Sequence, residues 1–403
     1  MSSSTPGIAA IDIGLETEAR DEARWACVAA QYPSAPPGLI NLEHGYFGAM
    51  ALPVQEAYEE GIRHVNTFLS PFVRRDLAAH LDALRDRLAG LINAGRDEIL
   101  LTRNASESMQ ILIGQYAALE AGDAVLFCNL DYPAMKNAMR WLEQRRGVTA
   151  IELRFDLPVS REELAARYRE AIDGTPRLKM MLLSHVFPTN GQRMPLAEIV
   201  AYARGRNIDV LADGAHALGQ MPLDVQQLGL DFAGFNLHKW LGAPIGTGFA
   251  YIRRDKLARI EPHFSDRDYP LDDIRCRLHS GTPNIGALQA VTAALDFHEG
   301  LGGAATKRAR LMYLRQYWVE QARTIPGLRL LSPLEAEDAT ALTSFTLDGY
   351  SAPQLQQTLM ERFGIFTVVR DIGHAEIVRA TLTLTTTIEE LDAFVGALRE
   401  LGC

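Results

Sequence analysis

The sequence predicts an α/β protein with a large domain built on a mostly parallel sheet and a smaller α+β domain at the C-terminal end. Three observations carry that expectation. Short apolar runs of strand length alternate with longer stretches of helical spacing up to about residue 290. Two of these runs, Ile208–Asp213 and Phe232–Leu237, stop abruptly at polar side chains, as buried strands do at a sheet edge. Beyond Pro326 the spacing changes to strand, strand, helix, two strands and helix, the pattern of a small mixed layer.

Residues 1–40 read as a polar N-terminal segment, helical over Glu16–Tyr32 until Pro33, Pro36 and Pro37 end the helix. Asn41–Gly48, NLEHGYFG, follows, and its glycines permit a close backbone approach. Phe68–Leu91 places Leu81, Leu84 and Leu88 on one helical face. Glu98–Thr102 reads as a strand, Arg103–Ser106 as a turn and Glu107–Leu119 as a helix. Short polar residues at such a junction cap the helix and leave backbone N–H groups free to hold an anion. Asp123–Asn129 and Leu178–Val186 are further buried strands, delivering Asp131 with Tyr132 and Ser184 with His185.

The central stretch then brings an acid and a lysine to one edge. If Ile208–Asp213 and Phe232–Leu237 are parallel neighbours, Asp213 and Lys239 emerge at the carboxyl ends of the strands, where open α/β sheets bind ligands. Such a pair suits pyridoxal phosphate: the lysine holds it as a Schiff base, and the acid keeps its ring nitrogen protonated so that the ring accepts electrons. Gly242, Gly246 and Gly248 do not form the G-x-G-x-x-G arrangement after a first strand, which disfavours a dinucleotide fold. They fit a tight return into the strand Phe249–Arg253. Helices over Ile285–Glu299 and Ala305–Thr324 lead into the smaller domain. There, strands Leu328–Leu331 and Ala341–Leu347 precede a helix at Ala352–Phe363, with strands at Phe366–Arg370 and Ile377–Leu384 after it. A last helix, Thr387–Leu401, opens on Thr387 and Glu390, the spacing of a capping box.

Composition narrows the classes. With 403 residues, 47% hydrophobic and 22% charged, the chain is an ordinary globular one. A net charge of -10 argues against a nucleic-acid partner, which needs a basic face. No apolar run approaches the ~18 residues of a membrane span, and no basic segment followed by an apolar one opens the chain. Cys27, Cys128, Cys276 and Cys403 are scattered without a metal or redox spacing, so reduced thiols in the cytoplasm are expected. None of the ten histidines falls in H-E-x-x-H, and a metal site has no support.

D-G-A-H at 213–216 followed by N-L-H-K-W at 236–240 resembles the class V aminotransferase family of PLP fold type I enzymes. The isopenicillin N epimerase-like and cysteine desulfurase-like branches are the most similar, and the likeness runs from about Asn41 to the last helix. It implies a mostly parallel seven-stranded sheet in a large domain over 41–290, and connecting helices with a small α+β domain over 291–403. It also implies pyridoxal 5'-phosphate as cofactor, a small amino-acid-type substrate, and a homodimer with shared active sites. The strand after the glycine turn is expected to run antiparallel to its neighbours.

The resemblance carries roles to particular residues. Lys239 is the Schiff-base lysine and proton shuttle; Asp213 pairs with the pyridine nitrogen and His216 sits near the ring hydroxyl. Ala105, Ser106, Asn236 and His238 contact the phosphate, Tyr132 stacks on the ring, and Thr282 reaches across the dimer to the partner's cofactor phosphate. Arg379 grips the substrate α-carboxylate, with Arg370 as the second candidate, while Tyr46 and Phe47 stand on the substrate side. Asn190 compensates for an asparagine that desulfurases carry where this chain has Phe187-Pro188. Two departures matter. Glu43 stands where relatives have asparagine, and the loop Asp371–Val378 lacks the persulfide-forming cysteine of desulfurases; Cys403, at the chain end, would need an unusual path to the cofactor. Chemistry at an amino-acid α-carbon is implied, epimerisation or transamination ahead of desulfurase-like β-elimination. A catalytically silent binding or regulatory protein is the contrasting class, disfavoured because Asp213, His238 and Lys239 are all present.

Overall fold

Helices in the N-terminal segment come as a pair. In the computed structural model, which describes residues 13–402 except Arg267 and His374, α1 (Ile13–Ala19) and α2 (Glu22–Ala29) replace the single helix expected over Glu16–Tyr32. Asp21 leaves helical geometry between them and caps α2 by accepting from the Arg24 N–H at 3.0 Å. Cys403 lies outside the described residues. A short strand β1 (Ile40–Asn41) precedes α3 (Leu52–Arg75) and α4 (Leu77–Ile92). The continuous helix expected over Phe68–Leu91 is interrupted, with Leu69 at φ 48° just before Pro71. Proline has no N–H to give to the preceding turn and its ring clashes with the carbonyl four residues earlier, so the helix breaks within the turn before Pro71.

From there strands and helices alternate: β2 (Ile99–Thr102), α5 (Ala105–Gly114), β3 (Ala124–Cys128), α6 (Pro133–Arg146), β4 (Thr149–Leu153), α7 (Arg161–Gly174), β5 (Leu178–Ser184), α8 (Leu196–Arg204), β6 (Asp209–Asp213), β7 (Phe232–Asn236) and β8 (Gly248–Ile252). They form one seven-stranded sheet in the order β2-β8-β7-β6-β5-β3-β4. All pairings from β4 to β7 are parallel, and β8 runs antiparallel to both β7 and β2. Alternate residues feed two cores. Leu126, Met181, Val210 and Phe235 meet side chains of α4, α7, α8 and α9 (Ile285–Gly300) on one face. Val125, Met180, Leu211 and Phe232 meet α5 and α6 on the other.

After α9 the chain continues through α10 (Gly303–Ala322), β9 (Leu328–Leu330), β10 (Leu342–Leu347), α11 (Ala352–Phe363), β11 (Ile365–Phe366), β12 (Val368–Asp371), β13 (Glu376–Thr381) and α12 (Ile388–Leu401). Strands β12-β13-β10-β9 make a second, antiparallel sheet. Trp318 of α10, Phe345 of β10 and Phe394 of α12 pack together over it, Phe345 edge to face with both others, and Trp25 and Val28 of α2 join the same cluster. Buried Arg310 ties α10 to the N-terminal helices through Glu22, at 2.6 and 2.9 Å, and the Ala19 carbonyl. Thr387 and Glu390 form the expected capping box at the start of α12.

One segment joins the two sheets. β1 pairs in parallel with β11, the Leu42 N–H donates to the Phe366 carbonyl at 2.9 Å, and the Thr381 N–H donates to the Leu42 carbonyl at 2.6 Å. Six residues on, the Gly48 N–H donates to the His238 carbonyl at 2.8 Å. A Cβ at Gly48 would collide with the Lys239 carbonyl oxygen, so only glycine lets this segment lie against the lysine loop. Among the described residues no helix is long and apolar enough to cross a membrane.

Candidate active site

Strand order reverses between β3 and β5, because β4 lies beyond β3 while β6 and β7 extend the other way. A crevice forms at the carboxyl ends of strands at such a point. Here it is a cavity of about 680 Å³ whose walls include Tyr132 after β3, Ser184 of β5, Asp213 of β6 and Lys239 after β7. Asp213 ends its strand opposite Gly234 in the parallel register, which brings the acid and the lysine into the same walls, as the sequence predicts.

Burial sets the protonation of this group. Removal from water pulls the Lys239 ammonium down from 10.5 to about 8; the Asp213 carboxylate holds it up in part and the Arg379 charge lowers it further. Burial also raises the Asp213 pKa, against the Ala215 N–H, which donates to it at 3.0 Å, and the Lys239 charge. His216 is held well below its usual range by burial and then by Lys239 and Arg379, so it is a neutral imidazole. Its Nε2 lies 3.1 Å from the Lys239 Nζ, and its Nδ1 is buried without a partner. His238 is fixed through Nδ1 near the Thr247 carbonyl at 3.2 Å, and burial lowers its pKa also. In the ligand-free protein, acylation of Lys239 by an amine-reactive reagent is expected to rise with a midpoint near about 8, because only the free amine reacts. Peptide mapping across a pH series checks this, and a midpoint near the ordinary 10.5 would mean a solvated lysine.

The start of α5 forms the opposite wall. Asn104 caps it by accepting from the Glu107 N–H at 2.8 Å, and the Asn236 side-chain oxygen accepts from the Ala105 N–H at 2.8 Å. The first bond caps the helix and the second anchors its start onto β7. Ser106 is the next residue, in the first turn of the helix, where free backbone N–H groups favour an anion. Asn104, Ala105, Ser106, Asn236 and His238 all line the cavity. Exposed Tyr46, Phe47 and Tyr132 rim it.

Arg379 of β13 lines the cavity and is 1% exposed. Its Nη2 donates to both oxygens of Glu43, at 2.7 and 2.9 Å, and its Nη1 to the Pro188 carbonyl. Burial lowers its pKa to about 10, with Glu43 opposing and Arg370 adding to the drop. Two expected residues lie elsewhere. Asn190 is fully buried outside the cavity: its amide donates to the Leu331 carbonyl at 3.0 Å and its oxygen accepts from the Gln192 N–H at 3.2 Å. It is thus spent on tying the β5 loop to the second sheet, and Pro188 and Thr189 take the wall position. Thr282 is exposed and does not line the cavity of its own chain.

Other wall residues have no expected role. Thr189 is buried with its hydroxyl unpartnered, and Lys136 donates to the Asn129 carbonyl at 2.6 Å. Behind the wall, Asp131, raised by burial to about 6, accepts from the Ser184 hydroxyl at 2.7 Å and so couples the ends of β3 and β5. The abrupt polar ends of those two strands were the available signal for that pair.

The fit to the cofactor rests on these atoms. A buried acid, a partly neutral lysine, a helix start and the unpartnered His216 Nδ1 and Thr189 hydroxyl suit a polar, aromatic phosphate ester. Comparison with known proteins agrees. Residues 55–394 match the Aminotransferase class-V family. The chain is 29% identical to an isopenicillin N epimerase of Streptomyces clavuligerus over 383 residues, covering 91% of this chain and 95% of that one. It is 27% identical to a probable cysteine desulfurase of Methanothermobacter thermautotrophicus, covering 80% of this chain and 84% of that one. In fold it is similar to a cystine C–S lyase, with a TM-score of 0.80 at 23% identity over 92% of this chain and 99% of that one. A cysteine desulfurase from Escherichia coli gives a TM-score of 0.80 at 24% identity over 94% and 99%. The family match spans both sheets and every wall of the cavity but the Asn41–Gly48 side, and so the chain belongs to the aminotransferase class-V family, as a pyridoxal 5'-phosphate-dependent enzyme of PLP fold type I.

Proposed function

We propose that this enzyme labilises a bond at the α-carbon of an amino acid or amino-acid-containing substrate, as an epimerase or aminotransferase ahead of a C–S lyase. The observation that carries the reading is the shared cavity of Lys239 and Arg379: a partly neutral amine and a buried guanidinium suited to a carboxylate. Bound in this site, the cofactor supplies the electron sink for charge left on the α-carbon. The residues do the rest. Arg379 orients the substrate by its carboxylate, and Lys239 Nζ removes or returns the α-proton. Neutral His216 accepts a hydrogen bond from that amine at Nε2 and keeps it aimed. Asp213 holds the ring nitrogen's proton, and the α5 start with Ser106 and His238 holds the phosphate. Tyr132 covers the ring, and Tyr46 and Phe47 exclude water on the substrate side. A homodimer in which the exposed Thr282 reaches the partner's phosphate, with a large domain over 41–290 and a small one over 291–403, belongs to the same proposal.

Preference for epimerisation or transamination rests on the cysteines. Among the described residues none lines the cavity: Cys27 is exposed on α2, Cys128 is buried in β3 and Cys276 is buried near the Leu271 carbonyl. A desulfurase needs a thiol that reaches the substrate sulfur. The similarity to an isopenicillin N epimerase over nearly the full length supports the same preference. A panel of amino acids and short peptides, scored together for keto acid, inverted isomer and sulfide, tests it. Keto acid or inverted isomer without sulfide is expected; sulfide from cysteine as the dominant product would contradict it.

A further inference from the structure

Arg379 is already occupied, and incompletely. Glu43 places both oxygens on a single nitrogen, Nη2, and the Nε of this buried guanidinium has no partner. A carboxylate that takes Nε and Nη2 together makes two parallel charge-assisted bonds, which the resident glutamate does not. Arg370 stands beside this pair. Arg379 is opposite Val368 in the β12/β13 register and Arg370 is two residues further along β12, so the two arginines are diagonal neighbours on one face. Arg370 Nη2 is 3.4 Å from Glu43 Oε1, and about a third of its side chain is exposed.

The backbone around Glu43 is pinned while its side chain lies between two cations. Leu42 is bonded on both sides, and the Glu43 N–H donates to the Asn41 side chain at 3.0 Å. Gly45 packs so closely that a Cβ there would strike the Arg379 guanidinium in its present position. The Glu43 carboxylate itself is held by side-chain bonds to Arg379 and Arg370.

We infer that Glu43 is a resident carboxylate that the substrate's own carboxylate displaces from Arg379, and that Arg370 receives it. The inference rests on Arg379 being the substrate clamp. In the exchange, each carboxylate stays paired: the incoming one with Arg379, the outgoing one with Arg370. Glu43 then competes with every substrate carboxylate, so binding requires further contacts along the cavity in addition to the clamp.

The test uses the cofactor-loaded enzyme and fluoroacetate, a carboxylate that does not react, with binding followed by ¹⁹F NMR. Glu43→Gln is expected to tighten fluoroacetate about tenfold, since the competing charge is gone. Arg370→Met is expected to weaken binding in the wild-type background and to change nothing in Glu43→Gln, because Arg370 acts through the Glu43 charge, as the only cation left to pair it once Arg379 is taken. Equal weakening by Arg370→Met in both backgrounds would make Arg370 a direct contact and overturn the exchange. So would unchanged or weaker binding in Glu43→Gln while Arg379→Met abolishes binding. If Arg379→Met leaves binding unchanged, the clamp itself falls, which separates the two failures. Should Glu43→Gln fold poorly, a crystal structure of the wild-type fluoroacetate complex decides: Glu43 on Arg370 supports the exchange, and Glu43 still on Arg379 refutes it.

Discussion

Replacing Lys239 with alanine is expected to cut turnover on the order of 10³–10⁴-fold, the scale of a lost general base. The reason is local. Lys239 lines the cavity with its Nζ 3.1 Å from His216 Nε2, and its amine is partly free near about pH 8. The fold should tolerate the change, because the amine's one side-chain bond is to His216 at 3.1 Å and burying its charge is a cost. Exchange of the substrate α-proton with solvent deuterium, followed by NMR on the best substrate of the panel, reads the loss. A small added amine should restore part of the rate. A drop below about tenfold would show that another group moves the proton.

Asp213→Asn is expected to separate catalysis from stability. Turnover should fall about 10²–10³-fold, since the fixed charge that stabilises the protonated ring nitrogen is gone. Stability of the cofactor-free protein should not fall with it. Burial raises the Asp213 pKa, so the folded chain holds that proton more tightly than the unfolded one, and ionisation above the ordinary carboxylate range costs the fold. An amide removes that cost, most visibly above the Lys239 midpoint, where no ammonium is left to pair with the acid. The same variant should lower the Lys239 acylation midpoint below about 8, because the Asp213 charge is what holds it up. An unchanged midpoint would mean that acid and lysine do not sense one another.

Much of this site was legible because buried parallel strands read as apolar runs with sharp polar ends. Asp213 and Lys239 could be placed at one edge from that pattern alone, while Asn236 came in only through the resemblance, and Thr387 with Glu390 fixed a helix start by local bonding. What could not be read depends on distant partners. Glu43 and Arg379 are separated by 336 positions, and nothing near either one announces the pair. Asn190 looks like any short polar loop residue; its role is decided by the Leu331 carbonyl, 141 positions away. The expected elements also pass over α6, α7, α8 and β4. Their apolar stripes are narrow, as with Met135, Met139 and Leu142 on an otherwise polar α6, and β4 is only partly buried. The break at Leu69 was signalled by Pro71, whose effect on the helix outweighed the apolar spacing on either side.

Borohydride reduction of the yellow, cofactor-loaded protein followed by peptide mapping tests the central assignment most directly. The account predicts loss of the visible absorbance with a single pyridoxyl group on the peptide carrying Lys239. A colourless protein that cannot be reconstituted, or a label on any other lysine, would contradict it.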